Sequence, residues 1–187
     1  MGIFKEESIM KEKAKQNLSY VEEVWREESD VTKAKNTEIG KYNIDKLLGF
    51  IFSPGPYYYY LFNFQTMEID YVSDSITSVL GYEVSEMTVA NWMSWLHPED
   101  SDFIPVKEQM VVDFLFKQIP SEKIPKYKVS YDFRCKKKDG NYCRILHQAI
   151  AIDVDENGVM HKVLGVHTDI THLKKNSDQS VSFIGMD

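Results

Sequence analysis

The last third of the chain constrains its architecture most. Three runs of alternating, β-prone residues, Tyr127 to Lys137, Asn141 to Val154 and Val159 to Ile170, are joined by Asp139-Gly140 and by Asp155-Glu156-Asn157-Gly158. Asp-Gly and Asn-Gly supply the left-handed conformations that tight reversals need. The runs therefore predict three consecutive antiparallel strands. In the middle one, one face carries Tyr142, Arg144, Leu146, Gln148, Ile150 and Ile152, and the other Cys143, Ile145, His147, Ala149 and Ala151. Neither face is polar, so both need a cover. N-terminal helices or a second subunit are the available covers.

Upstream, residues 3 to 29 carry a helical stripe of Met10, Ala14, Leu18, Val21 and Trp25. Two heptads do not specify a coiled coil, so this helix docks either on its own domain or on a partner subunit. A second helix is predicted over 38–51, stopped by Ser53-Pro54-Gly55-Pro56. Tyr57 to Phe64 and Glu68 to Ser73 read as two strands around a turn at Gln65-Thr66-Met67. A short helix ends at Gly81, another spans 85–95, and His97-Pro98-Glu99-Asp100 forms a junction. The longest core helix is predicted over 102–118, with Phe103, Val106, Met110, Phe114 and Ile119 inward and Val111 and Leu115 widening the stripe. The sum is an α+β domain: a five-stranded antiparallel sheet with helices on one face, plus N-terminal helices.

Charge and composition exclude several functions. The net charge is −7, which lacks the electrostatic footprint of phosphate binding. DNA contact, if any, belongs to a domain outside this chain. No run of about 18 apolar residues suggests a membrane span, and acids occupy the N-terminus where a secretory signal needs an apolar core. The cytoplasm is the expected compartment. Cys135 and Cys143 form neither a disulfide framework nor a zinc pattern. An even-numbered loop at Asp139-Gly140 places them on opposite sheet faces, a three-residue loop brings them opposite each other, and two free thiols are expected.

A set of ordered landmarks carries a resemblance. They are Tyr71-Val72-Ser73, Leu80-Gly81-Tyr82, Leu96-His97-Pro98-Glu99-Asp100, Lys138-Asp139-Gly140, Arg144-Ile145-Leu146, Gly165-Val166 and Asp169-Ile170-Thr171. In this order and spacing they resemble the PAS family of sensory domains, over roughly Tyr42 to Lys175. Residues 127–134, 164–173 and 182–185 further resemble regulators in which a PAS domain precedes a LuxR-type helix-turn-helix. The resemblance implies a non-catalytic sensor of a transcription regulator, homodimeric, with a small apolar ligand and its DNA-binding domain absent. An input domain of a signalling kinase or cyclase is the alternative, and a small-molecule enzyme the third reading. The expected organisation is a helical extension over 1–37, the sensor over 38–175 and an exit tail over 176–187. In the family, residues matching Asp169 and Thr171 clamp the last strand to the output segment, so both are relay candidates.

Leu80, Trp92, Met93, Met110 and Phe114 are the pocket candidates, since methionine and aromatics make adaptable apolar walls; Met87 belongs with them. No cofactor or metal is expected. Gly140 to Gln148 resembles the cysteine motif of flavin-binding PAS photoreceptors, but Tyr142 replaces its asparagine, His147 is an insertion, and the segment follows a hairpin rather than lying in the helical middle. The histidines His97, His147, His161, His167 and His172 show no metal-ligand spacing, and the long helix contains no histidine to hold haem. No nucleophile elbow or phosphate-cradling glycine loop occurs.

Overall fold

A computed structural model describes residues 53–155, 158–176 and 180–185. The expected N-terminal helices lie outside these residues. Strands β1 (Tyr57–Asn63) and β2 (Glu68–Val72) form the first hairpin. The Asn63 side chain closes its turn by accepting the Gln65 amide at 2.9 Å, as asparagine does at reversals. Helices α1 (Ser75–Leu80), α2 (Val89–Trp95), α3 (Pro98–Ser101) and α4 (Ile104–Lys117) follow, and then β3 (Tyr127–Lys136), β4 (Tyr142–Val154) and β5 (Met160–Asp169).

Local chemistry explains the helix ends. Gly81 takes φ 84° and returns its amide to Thr77, a left-handed stop that glycine adopts without strain. Thr88 caps α2 by accepting the Asn91 amide at 3.2 Å. His97 caps α3 in the same way through Nδ1, and Pro98 fills its first position.

The sheet has six strands rather than five. Its order is β2-β1-β5-β4-β3-β6, all neighbours antiparallel. The extra strand, β6 (Ser182–Gly185), comes from the tail and pairs along Tyr127 to Ser130. Inward side chains of the sheet pack against α1, α2 and α4 around Tyr58, Ile76, Leu80, Phe133 and Ile145, all nearly or fully buried. Among the described residues, no helix is long and apolar enough to cross a membrane.

One open alternative is settled and one expectation is corrected. The β3–β4 loop runs from Lys137 to Asn141, an odd number of residues, so Cys135 and Cys143 are direct cross-strand partners rather than on opposite faces. Both thiols are free and buried. In α4, Leu115 is buried and Val111 and Phe114 pack on the core as expected, but the first half of the stripe is displaced. Ile104, Lys107 and Leu115 face inward, whereas Phe103, Val106 and Met110 are exposed. The inward face includes Lys107, whose ammonium donates to the Asp132 carbonyl at 2.8 Å and lies over the Tyr131 ring. A polarity count assigns such a residue to solvent, and the predicted stripe is displaced accordingly.

Candidate functional site

The inner face of the sheet and the helical layer line a cavity of about 680 Å3 that opens to the surface past Met67 and Val159, within the size range of small-molecule sites. Strand β1 contributes Tyr60 and Phe62, β4 Ala149 and Ala151, α2 Trp92, and α4 Val111. Alternation along the strands places these residues on one face. Gly165, the partner of Tyr60 on β5, keeps room for that ring: a Cβ there would stand 2.3 Å from it.

Polar groups in the wall are few. Glu108 of α4 opens onto the cavity and accepts the Tyr131 hydroxyl. The surrounding side chains push its carboxyl pKa up, partly offset by that hydrogen bond. Among the described residues, no lysine or arginine lines the cavity.

His147 is the other titratable group of interest. It pairs directly with His167 across β4 and β5. Its Nδ1 lies 2.9 Å from His167 Nε2, and His167 Nδ1 lies 2.7 Å from the Tyr58 hydroxyl. Burial holds both imidazoles neutral, lowering His147 to about 4 and His167 well below the ordinary histidine range, with His147 adding to the second shift. The network assigns the protons. Tyr58 is fully buried, and a buried donor without an acceptor costs about 1–3 kcal/mol. Tyr58 therefore donates to His167 Nδ1. Neutral His167 carries its proton on Nε2 and donates to His147 Nδ1. His147 keeps its own proton on Nε2, the ring nitrogen left for the cavity it lines. Beside it, the Trp92 ring stacks on His167 at 6.0 Å, and its Nε1–H is buried without a partner among the described residues.

The predicted pocket residues are dispersed. Trp92 and Met87 line the cavity. Leu80 is buried in the core, Met93 and Met110 are exposed, and Phe114 stacks on Phe183 of β6 at 4.0 Å. Sequence reasoning missed Tyr60, Glu108 and the His147–His167 pair. Spacing alone holds no signal for the pair, because twenty residues separate the two histidines.

At the end of β5, Asp169 accepts the Thr171 amide at 3.0 Å and its hydroxyl at 2.5 Å, and meets Lys137 at 3.0 Å. Thr171 Oγ1 in turn accepts the Arg144 amide of β4 at 2.8 Å. Burial raises the Asp169 carboxyl pKa, but Thr171 and Lys137 outweigh it and the net shift is downward. The segment beyond is tied to the sheet through Lys174, which meets Asp132 at 2.5 Å. Gly55 allows the opposite approach: a Cβ there would stand 2.1 Å from the Asp169 carbonyl. Cys143, facing Cys135 in the interior, has its thiol pushed up to about 12 by burial, so it is no nucleophile at neutral pH. Among the described residues no group of three or more His, Cys, Asp or Glu side chains is placed to hold a metal.

The chain matches the PAS fold family over residues 69–167, more than half its length, and it belongs to that family of sensory domains. Similar solved structures include the N-terminal domain of a diguanylate cyclase with PAS/PAC sensor from Marinobacter aquaeolei, at 22% identity and TM-score 0.49, covering 62% of this chain and 96% of that one. The PAS domain of a protein from Colwellia psychrerythraea is 20% identical with TM-score 0.47, covering 70% and 99%. Drosophila melanogaster Cycle PAS-B with bound ethylene glycol is 14% identical with TM-score 0.45, covering 60% and 99%. No curated protein matches the chain.

Proposed function

We infer that this chain is a non-catalytic sensor that reads a small apolar molecule in its inner cavity and reports through the end of β5. The observation that carries this reading is the cavity itself. Its walls are almost entirely apolar, and a buried hydrogen-bond chain runs from them to β5, two residues before Asp169. Asp169 and Thr171 are the relay: they tie the end of β5 to β4 and to the segment that follows. We assign the sensor to residues 38–175, a helical extension to 1–37 and the route to an effector to 176–187. The segments over 127–134, 164–173 and 182–185 support a place in a LuxR-type transcription regulator, acting as a homodimer. DNA contact then belongs to another domain.

Native mass spectrometry of the full chain tests ligand and assembly together. The reading expects two subunits and retention of an added apolar probe, N-phenyl-1-naphthylamine. A monomer that retains no probe overturns it. The coding sequence after Asp187 decides the effector: a basic helix-turn-helix supports the regulator, and a kinase or cyclase domain replaces it.

A further inference from the structure

We propose that the cavity selects an uncharged, largely apolar molecule bearing one hydrogen-bond acceptor, such as a ketone, ester or lactone, and that His147 Nε2–H, with Trp92 Nε1–H beside it, is the donor that reads the acceptor. This deepens the sensory reading and rests on it. Two observations carry it independently. The first is the direction of the buried chain. Tyr58 donates to His167 and His167 to His147, so His147 has a proton to give at the cavity and no lone pair to offer there. The second is Trp92, a donor-only side chain in the cavity wall whose N–H is buried and unmatched among the described residues. Unpaired buried donors are uncommon in proteins and call for an account. An acceptor brought in by a ligand supplies one for Trp92 and a partner for His147.

The remaining wall fixes the charge of the ligand. A carboxylate would enter without a lysine or arginine among the lining residues, and would stand in the same cavity as the Glu108 carboxyl. Burying an anion without a counter-charge is strongly unfavourable. An amine would find only donors at the His147 and Trp92 end and would have to seat at Glu108, whose second oxygen is open to it; the amine among the probes below distinguishes that case. An alkane would fit the apolar walls and leave both donors unmatched. A neutral acceptor satisfies every group at once.

Competition against N-phenyl-1-naphthylamine on the full chain tests this with four probes of equal chain length: 2-decanone, decane, decanoate and decylamine. The expected result is 2-decanone displacing the dye about tenfold more tightly than decane, with decanoate and decylamine weaker than the ketone. In His147→Phe the ketone's advantage over decane should fall to about twofold or less while decane itself is unchanged. Trp92→Phe, which keeps the ring and removes the N–H, should reduce the advantage partly and gives the second reading should His147→Phe not fold. Equal binding of ketone and decane to the native chain overturns the ligand class, as does a carboxylate or amine that binds tighter than the ketone. An advantage unchanged in the variants overturns the role of the two donors. If the chain binds neither the dye nor any probe, the sensory reading of the cavity fails with it.

Discussion

Replacing Asp100 by asparagine should cost this fold about 1.5–3 kcal/mol at pH 7. Asp100 sits at the start of α3 with only 6% of its surface exposed. Its carboxylate accepts the Arg134 amide at 2.6 Å, Arg134 Nε at 3.1 Å and Arg134 Nη2 at 2.7 Å. It thereby bolts the helical layer to β3. Asparagine keeps the shape, retains one acceptor oxygen, and turns an amide nitrogen toward a guanidinium that can only donate. With its oxygen in the Oδ2 position it keeps the bonds from the Arg134 amide and Nε, loses the one from Nη2 and removes the charge that faces the guanidinium, a loss of about 1.5–3 kcal/mol. Arg134 keeps Glu99, at 2.7 Å, but that partner is largely exposed and replaces little. For a chain of this size, about 1.5–3 kcal/mol corresponds to a fall in Tm of about 3–12 °C. The pH dependence is a second check. Burial raises the Asp100 carboxyl pKa, but the Arg134 hydrogen bonds and charge outweigh it and leave it below the ordinary aspartate value. A carboxyl whose pKa is lower when folded stabilises fully above its unfolded value of about 3.9. That contribution is lost as pH falls through the folded value. The gap between native chain and variant should therefore be at full width at pH 7 and 5 and shrink only as the pH falls through the folded value. Urea unfolding followed by tryptophan fluorescence measures both. A variant within about 0.5 kcal/mol of native at pH 7, roughly the scatter of neutral surface changes, refutes the reasoning, as does a gap that does not shrink in acid.

Thr171→Val removes the acceptor of the Arg144 amide and the donor to Asp169; it should cost about 1–2 kcal/mol, and hydrogen exchange should show faster opening of amides 169–174. His147, neutral and buried with its pKa lowered to about 4 from 6.5, should make stability fall between those two pH values as the unfolded chain takes up the proton first. The loss is about 3 kcal/mol, and acid titration of His147→Phe should show a shallower fall. Cys135 and Cys143, both buried with raised thiol pKa values, should resist a soluble aromatic disulfide reagent in the folded chain and react in denaturant; rapid labelling of either under native conditions contradicts their burial.

The hairpins were legible because turn chemistry is local. Gly140 and Gly158 take φ of 91° and 81°, as the Asp-Gly and Asn-Gly signals required. The register across those turns was not legible, because one residue more or less in a loop reverses which side chains meet. That uncertainty hid the Cys135–Cys143 pairing and the His147–His167 pair alike. Helix α4 was found, and the inward face of its second half with it through Val111, Phe114 and Leu115, but its first half was not, since Phe103, Val106 and Met110 are exposed. Lys107 is buried and Glu108 turns to the cavity for reasons that lie elsewhere in the fold, at the Asp132 carbonyl and the Tyr131 hydroxyl. Strand β6 is four residues long and owes its conformation to the edge of β3, so its own sequence carried no sufficient signal. The pocket candidates followed the same division. Trp92 was found by residue type, whereas Glu108 and His147 needed the tertiary structure.

Coupling between the cavity and the chain's exit then reduces to which elements a ligand touches. A ligand shifts a junction only by its difference in affinity for two arrangements, so it must contact something that differs between them. His147 lies on β4, its partner His167 on β5 and Tyr58 on β1, which makes the hydrogen-bond chain a crossbar over three adjacent strands. Thr171, two residues past the end of β5, is held by the backbone of β4 at Arg144. The crossbar and this hold lie near the same end of the β4–β5 pair, so a change in the spacing of those strands acts on both. A second connection runs by a different path. Tyr127 lines the cavity and packs edge-on to Phe114, which stacks on Phe183 of β6. The cavity wall thus reaches the tail from both sides of the sheet: at its centre through hydrogen bonds, which depend on ligand polarity, and at its edge through ring packing, which depends on ligand size. On the proposed sensory reading, a molecule that fills the cavity without engaging His147 should exert only the second influence, and ligands matched in volume but not in polarity should separate the two.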